Sequence, residues 1–314
     1  MRVVIAGGTG FLGRALSAAL LQQGHEVVLL TRAARRPGAA QAGGPGAGGG
    51  PGAALRRVAW VPDGTAGEWG EAVDGADAVV NLAGESIAAG RWTDERRRAI
   101  RDSRVFATRS LVEAIRSARR PPPALVSGSG QGYYGDRGDE ILTEESAPGS
   151  DFLAGVCQEW ETEARAASTV ARVVLLRTAL VLDREEGALP RMIQPFKLFA
   201  GGPVGSGRQF VSWVHHEDWV RLAVLAMTDE RFVGAVNVGS PNPVTNAEFG
   251  RAIGKALGRP SWVRTPAIAL RAALGEMAET LLLASQRMVP ARALEHGYRF
   301  LHPEVAPALK GILG

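Results

Sequence analysis

The stretch that most constrains the fold is GGTGFLG, which joins the apolar run RVVIA at residues 2–6 to a helical pattern. Its glycines follow the spacing G-x-x-G-x-x-G. Small residues at these positions allow a tight turn, a close backbone approach to a pyrophosphate and tight packing of the helix on the strand. The helix N-terminus adds amide donors and a positive dipole end. We therefore predict a dinucleotide site formed by Gly7, Thr9, Gly10, Phe11, Leu12 and Gly13.

Short apolar runs recur through the first 180 residues, and helical patterns separate them. The runs are RVVIAG, EVVLLTR, RRVAWV, AVVNLAG, ALVSGS and RVVLLRT. Continuous apolar strands that alternate with helices are typical of a parallel sheet covered on both faces. The predicted fold class is α/β, with a Rossmann-like doubly wound parallel sheet and a smaller C-terminal substrate lobe.

The pattern changes near residue 180, where Pro and Gly interrupt shorter helical segments. One further strand, AVNVGS, follows at 235–240. We expect residues 1–180 to form the cofactor-binding domain, with 206–240 adding to it. Residues 181–205 and 241–314 are predicted to form the substrate lobe. Residues 37–54 are nearly all Gly, Ala and Pro, which predicts a flexible loop between the second and third strands.

The end of the second strand discriminates between the two nicotinamide cofactors. An acidic residue there would hydrogen-bond the ribose 2′-hydroxyl, whereas an arginine attracts a 2′-phosphate. This chain has Thr31 and Arg32. NADP(H) is therefore the predicted cofactor. Arg35 and Arg36 either assist Arg32 or belong to a solvated run of charge.

Composition excludes several classes of protein. The chain is 46% hydrophobic and 22% charged, as globular proteins are, and its pI near 9.7 reflects arginine. No stacking-aromatic pattern accompanies the positive charge, so we expect a small anionic ligand rather than nucleic acid.

The late apolar stretch 267–284 is too polar to span a bilayer, and no secretory signal is visible. The single cysteine, Cys157, excludes an internal disulfide. A cytoplasmic protein without membrane contact is expected.

Six segments in order carry a family resemblance. They are GGTGFLG, NLAGE, RWTDERRRAIRDSR, GYYG, DFLAGVCQEWE and SGRQFVSWVHHEDWV. With these motifs the sequence resembles the atypical extended short-chain dehydrogenase/reductases, in the epimerase-family or nucleoside-diphosphate-sugar epimerase-like subgroup. The likeness covers nearly the whole chain except about 33–54. It implies that Leu82 and Ala83 lie over the adenosine side of the cofactor, that Arg104 faces the cofactor, and that Val181 approaches the nicotinamide.

The same resemblance exposes a missing catalytic pair. In the wider superfamily a serine or threonine, a tyrosine and a lysine four residues after it carry proton transfer. No Y-x-x-x-K occurs in this chain. Alignment on Glu161 puts Leu153 where the tyrosine belongs and Cys157 where the lysine belongs. Leucine has no proton to give, and a helical cysteine without a histidine near it in sequence is typical of a small buried hydrophobe.

The resemblance leaves Ser129 and Tyr134 as the candidate catalytic residues. Two hypotheses follow. The first is an NADP(H)-dependent oxidoreductase or epimerase acting on a nucleotide-sugar or another small polar substrate. The second is a catalytically inactive NADP(H)-binding regulatory or scaffold protein. His215 and His216 are predicted to be structural and no metal site is expected, because the i, i+4 ligand spacing is absent.

Overall fold

The computed structural model describes residues 1–32 and 53–314. Arg35, Arg36 and all but the last two residues of the segment 37–54 lie outside these residues. The strands are β1 (Arg2–Ala6), β2 (Glu26–Thr31), β3 (Ala54–Ala59), β4 (Ala78–Asn81), β5 (Ala124–Gly130), β6 (Ile141–Leu142), β7 (Arg172–Thr178), β8 (Leu180–Leu182), β9 (Phe210–Val211), β10 (Trp213–His215), β11 (Gly234–Val238), β12 (Val244–Thr245) and β13 (Arg287–Met288).

The α-helices of these residues have similarly clear limits. They are α1 (Phe11–Gln22), α2 (Asp94–Ser117), α3 (Phe152–Arg165), α4 (Leu189–Met192), α5 (Gln194–Lys197), α6 (His216–Thr228), α7 (Asn246–Leu257), α8 (Ala267–Leu274), α9 (Glu276–Ala278), α10 (Ala291–Glu295) and α11 (Val305–Leu313). Two 3₁₀ turns cover Glu68–Ala72 and Gln131–Tyr134, and one π turn covers Glu279–Leu283. No helix of the described residues is long and apolar enough to cross a membrane.

Seven parallel strands form the main sheet, in the order β3-β2-β1-β4-β5-β7-β11. The chain moves outward from β1 to β3 and then returns to build the other half from β4 onward. The two halves therefore meet between β1 and β4, which is the switch point where doubly wound sheets bind ligands. The predicted α/β, Rossmann-like fold class is confirmed, and the seven apolar runs in the sequence are its seven strands.

Helices cover both faces of the sheet because each presents one apolar stripe. On one face α1 and α6 bury Leu16, Leu20 and Trp219 against the strands. On the other face α2 and α3 bury residues such as Leu111 and Ala164. Burial of these apolar stripes is the main force that holds the helices on the sheet.

A third apolar cluster lies in the part of the chain after β7. It joins β8, β10 and helices α4, α5, α7 and α11, with Leu189, Phe196, Trp213, Phe249 and Leu309 among its members. Helix α7 begins with a reciprocal capping box between Thr245 and Glu248. This cluster supplies a separate core for the region where the sequence predicts a substrate lobe, and the lobe boundaries themselves stay a prediction.

One buried carboxylate ties the end of the chain to the sheet. Asp218 lies in the first turn of α6 and is fully buried. It accepts hydrogen bonds from the Tyr298 hydroxyl at 2.7 Å and from the amides of Leu301 and His302 at 2.9 Å each. Three donors satisfy this charge, which would be costly to bury unpaired.

Candidate functional site

The glycine-rich turn has a geometry that larger residues cannot adopt. Gly7 has φ +77°, and its carbonyl accepts the amide of Gly10 at 3.0 Å. A Cβ atom placed on Gly7 would lie 2.7 Å from the amide nitrogen of Ala83, and one on Gly13 would lie 2.5 Å from Cα of Gly8. Small residues are therefore required both for the turn and for the close packing of α1 on β1.

The loop after β4 lies directly against this turn. The amide of Leu82 donates to the carbonyl of Ala6 at 2.9 Å, and the Asn81 side chain accepts from the amide of Ala83 at 3.2 Å. Both Leu82 and Ala83 are partly exposed. The structure thus brings together the turn and the two residues predicted to face the adenosine side of a cofactor.

The N-terminus of α1 has free hydrogen-bond donors. Its N-cap is Gly10, no side chain caps it, and its first turn holds no acidic residue. The first amides of a helix have no partner within the helix, so here they remain available to an anion. The side chain of Arg14 binds the carbonyl of Thr9 and the carboxylate of Glu186, which ties the loop after β8 to the same turn.

Arg32 is the exposed cation at the end of β2. Its side chain is 73% exposed, and Nη1 lies 3.4 Å from Oε1 of Glu85, whose other oxygen lies 3.6 Å from Arg96. Thr31 before it is buried. Exposed ion pairs of this kind contribute about 0–1 kcal/mol, so a stronger anion can displace the Glu85 carboxylate. A cavity of about 340 Å³ opens beside Arg32 and is lined also by Trp60 and Asp63.

Arg104 is a second cation on the same side of the sheet. Its guanidinium lies 5.3 Å over the ring of Trp160 and beside Gly84 in the loop after β4. Within the described residues its side chain makes one hydrogen bond, to the carbonyl of Ile100 at 2.9 Å. Burial lowers the pKa of Arg104. Val181, predicted near the nicotinamide, lies buried in β8.

Ser129 points into a buried network of charges rather than standing free. Its hydroxyl donates to Oε1 of Glu161 at 2.8 Å. Arg177 donates to both oxygens of Glu161, from Nε at 2.8 Å and from Nη2 at 2.9 Å, and Arg165 adds a contact at 2.8 Å. Ser129, Glu161 and Arg177 are all buried. The Ser129 proton is therefore committed to a carboxylate, and only its oxygen lone pairs remain for another group.

Tyr134 lies in the core. Its side chain is fully buried, its hydroxyl donates to Asn237 at 2.6 Å, and it accepts from Arg177 at 3.0 Å. Burial raises the pKa of Tyr134 to about 12. This environment fits a structural residue, since a substrate has no access to the phenol in this conformation. Proton transfer at Tyr134 stays a prediction, and it would need an opening to the phenol that is absent among residues 1–32 and 53–314.

Helix α3 presents no proton-transfer group at the positions of the missing pair. Leu153 is buried beside Gly132, and Cys157 is buried with its thiol 3.8 Å from the carbonyl of Gly130. Burial, with the nearby Glu161 carboxylate, raises the pKa of the Cys157 thiol to about 11. A thiol with such a pKa is not a nucleophile at neutral pH.

The histidines form a stack. The ring of His215 lies 3.7 Å from that of His302 and 4.6 Å from that of His216, with planes within 30° of parallel. His215 Nδ1 accepts the amide of Glu217 at 3.2 Å and so caps α6. Potential ligand atoms of His215, Glu217 and His302 lie within 4.8 Å of one another. The lone pairs of nearly parallel rings do not converge as metal ligation requires.

Sequence reasoning missed the Glu161–Arg177 pair. Glu161 served only to align the α3 motif, and Arg177 stood in a run of strand residues. The available signal was the run itself, RVVLLRT, because a charged residue inside an otherwise apolar buried strand needs an internal partner. Glu85, the partner of Arg32, was likewise quoted only as part of a motif.

Comparison with known proteins agrees with this geometry. Residues 3–239 match the family model described as the NAD dependent epimerase/dehydratase family. The chain therefore belongs to that family. Residues 265–312 match a domain of unknown function, DUF1731. Both parts together make the chain similar to the epimerase family proteins called SDR39U1, which confirms the resemblance predicted from the motifs.

Three relatives illustrate the similarity. The chloroplastic SDR39U1 homolog of Arabidopsis thaliana is 40% identical over 315 residues, covering 100% of this chain and 87% of the relative. The crystal structure of human SDR39U1 with NADPH has a TM-score of 0.86 and 35% identity, with 100% and 99% of the two chains covered. MoeE5 in complex with UDP-glucose and NAD has a TM-score of 0.75 at 18% identity, over 100% and 97%, and shows the fold alone.

Proposed function

We propose that this chain binds NADP(H) at the glycine-rich turn and acts as an oxidoreductase or epimerase on a nucleotide-sugar or another small polar substrate. The observation that carries the proposal is the uncapped N-terminus of α1 with the exposed Arg32 at the end of β2. The pyrophosphate of a dinucleotide needs the free amides at this helix N-terminus, and the 2′-phosphate of NADP(H) needs the arginine. The NADPH in the human relative supports the same choice of cofactor.

The predicted cofactor residues contact different parts of the cofactor in this proposal, except for the buried Thr31, which positions Arg32. The amides of the turn and of the first turn of α1 bind the pyrophosphate, with Phe11 and Leu12 at the start of the helix. Arg32 binds the 2′-phosphate in place of Glu85, and the cavity beside it receives the adenine base. Leu82 and Ala83 contact the adenosine. Arg104 and Val181 flank the nicotinamide half. When bound, the cofactor accepts or supplies a hydride.

The proton chemistry assigned to this chain is weak. The Ser129 hydroxyl donates a hydrogen bond to Glu161, so its oxygen is left to accept a hydrogen bond from a substrate hydroxyl. General acid–base assistance contributes roughly 10²–10⁴ in rate. Without a tyrosine at position 153, we expect an enzyme that is slow on ordinary nucleotide-sugars, with substrate positioning supplying the remaining acceleration.

A regulatory or scaffold protein that binds NADP(H) without turnover is the second candidate function. The buried Leu153 and the unreactive Cys157 on α3 favour it. For either function we propose a reducing compartment such as the cytoplasm, because Cys157 is the only cysteine in the chain.

Calorimetric titration with NADPH and NADH tests the cofactor. We expect tighter binding of NADPH in the wild type and a roughly tenfold to hundredfold loss of NADPH affinity in Arg32→Ala, because a hydrogen bond to a charged group contributes about 1.5–3 kcal/mol. Arg116→Ala, another exposed arginine, serves as the control and should leave both affinities unchanged. Equal affinities of the wild type for the two cofactors would contradict the assignment of Arg32.

Turnover distinguishes the two functions. For the wild type, Ser129→Ala and the double variant Leu153→Tyr with Cys157→Lys, NADPH absorbance is followed with a panel of carbonyl compounds. Formation of the epimer from nucleotide-sugars is followed by chromatography, because an epimerisation leaves no net change in the cofactor. We expect slow wild-type turnover that Ser129→Ala removes without weakening NADPH binding. Activity that appears only in the Tyr/Lys pair would instead favour the regulatory role, because the pocket would then accept a substrate that the natural chain does not convert.

A further inference from the structure

A second cleft lies at the far edge of the sheet from the glycine-rich turn. Its volume is about 560 Å³, and it opens between α3, the segment 144–148 and the first residues of edge strand β11. Charged residues dominate its wall. They are Glu144, Glu145, Arg165, Arg177 and Arg292, with the ring of Tyr133 beside them.

Glu144 lines this cleft and carries a buried, unpaired acceptor. Its side chain is only 6% exposed. Oε1 accepts the amides of Asn237 at 3.0 Å and Arg292 at 3.3 Å, whereas Oε2 is buried and finds no donor in the described parts of the chain. Burial raises the pKa of Glu144. A buried acceptor without a partner is costly, so a group that donates to Oε2 is bound favourably.

The arginines of the cleft differ in how fully they are engaged. Arg177 is saturated, with Nε, Nη1 and Nη2 all bonded to groups of the core. The side chain of Arg165 is 49% exposed, and within the described residues only its Nη2 atom donates a hydrogen bond, to Glu161. Arg292 donates from Nη1 to the carbonyls of Val233 and Ala235 at 2.6 and 2.9 Å, and from Nη2 to Glu145, whose side chain is 80% exposed. Arg165 therefore retains donors for an acidic group, and Arg292 can release Nη2 from its exposed pair with Glu145.

We propose that this cleft binds a small acid that also carries a hydrogen-bond donor, such as an amino acid or a hydroxy acid. The acidic group lies between Arg165 and Arg292, and the amine or hydroxyl donates to Oε2 of Glu144. A plain anion would leave Oε2 unpaired and would face a second negative charge. A plain amine would leave the donors of Arg165 and Arg292 without an acidic partner. Because the cleft holds both guanidinium and carboxylate groups, it favours a ligand that carries both an acid and a hydrogen-bond donor.

The site does not depend on the function proposed above, although one carboxylate joins the two regions. Arg165 and Arg177 from the cleft both bind Glu161, which accepts the proton of Ser129. Titrations are therefore done on the full chain without NADPH, so that failure of the cofactor assignment and failure of this site remain separate results.

The test is a calorimetric titration with four probes. L-alanine and L-lactate carry both groups, acetate lacks the donor, and methylammonium lacks the acid. We expect saturable binding of L-alanine, L-lactate or both, and at least about tenfold weaker binding of acetate and methylammonium, since hydrogen bonds to charged groups are worth a factor of ten or more. No saturable binding of either two-group probe at millimolar concentration would overturn the proposal, as would equal binding of acetate.

Variants locate the binding in the cleft. Glu144→Gln replaces the acceptor Oε2 by an amide donor, and Arg165→Gln removes the more exposed guanidinium. Each should weaken the two-group probes by about tenfold or more. Arg116→Gln is the control and should change nothing. If Glu144→Gln fails to fold, Arg165→Gln decides, because its side chain is half exposed. Unchanged affinity in Arg165→Gln would place the binding elsewhere and refute the proposal.

Discussion

The two halves of the candidate cofactor site differ in what holds them together. The half at the glycine-rich turn consists of backbone amides, small residues and one exposed arginine. Proton transfer in the half on α3 would depend on particular side chains. Leu153 has no proton to exchange, and the buried thiol of Cys157 keeps its proton at neutral pH. A site built from backbone geometry requires only the fold, whereas proton transfer by a tyrosine and a lysine would require side chains that Leu153 and Cys157 do not supply.

Ser129 lies in a buried network of charges on the α3 side. Glu161 is held by Arg177 and Arg165, and its remaining acceptor capacity is taken by Ser129. These buried charges are mutually satisfied. We infer that the network fixes α3 on β5 and β7, so its loss should reduce stability.

The largest expected effect concerns Glu161. Glu161→Ala leaves the buried Arg177 guanidinium without its partner, which should lower the free energy of unfolding by about 3–5 kcal/mol. Glu163→Ala, two residues away, breaks an exposed pair with Arg109 and should cost about 0.2–1 kcal/mol. Urea denaturation of both variants measures the difference. Similar losses for the two would mean that the Glu161 network does not stabilise the α3 side.

A smaller effect is expected at the turn. Gly13→Ala places a Cβ atom 2.5 Å from Cα of Gly8, so α1 must move off the turn. Overpacking of this kind costs about 1–3 kcal/mol. NADPH affinity should fall by about tenfold or more, as calorimetric titration would show. Gly155→Ala on α3 is the matched control, because its Cβ meets no atom within 4 Å, and it should bind NADPH as the wild type does.

The smallest effect is expected at Cys157. Cys157→Ala should leave NADPH affinity within about threefold and lower the free energy of unfolding by about 1 kcal/mol, as typical core substitutions do. In the native wild type, alkylation of the thiol by iodoacetamide at pH 8 should be slow. It should accelerate as the pH approaches 11, where the thiolate forms, or in urea. Rapid native alkylation at pH 8 would show that Cys157 is a reactive thiol.

Most of the fold could be predicted because its signals are local. Seven apolar runs, a glycine turn before a helix and a change of pattern near residue 180 depend on neighbouring residues only. The turn and Arg32 were identified for the same reason. The buried, hydrogen-bonded environment of Ser129 and Tyr134 could not be predicted from neighbouring residues. Ser129 bonds to a residue 32 positions away in the sequence, and Tyr134 bonds to one 103 positions away. Only the folded sheet brings these partners together.

The buried Asp218 has a consequence for how this chain is inherited and expressed. It lies within the part matched by the epimerase/dehydratase family, while its three donors, at residues 298–302, lie within the part matched by DUF1731. A recombinant fragment that ends before residue 298 would leave an unpaired charge inside the protein. Neither part is therefore a closed module, and gene fusions or truncations that separate them should be selected against.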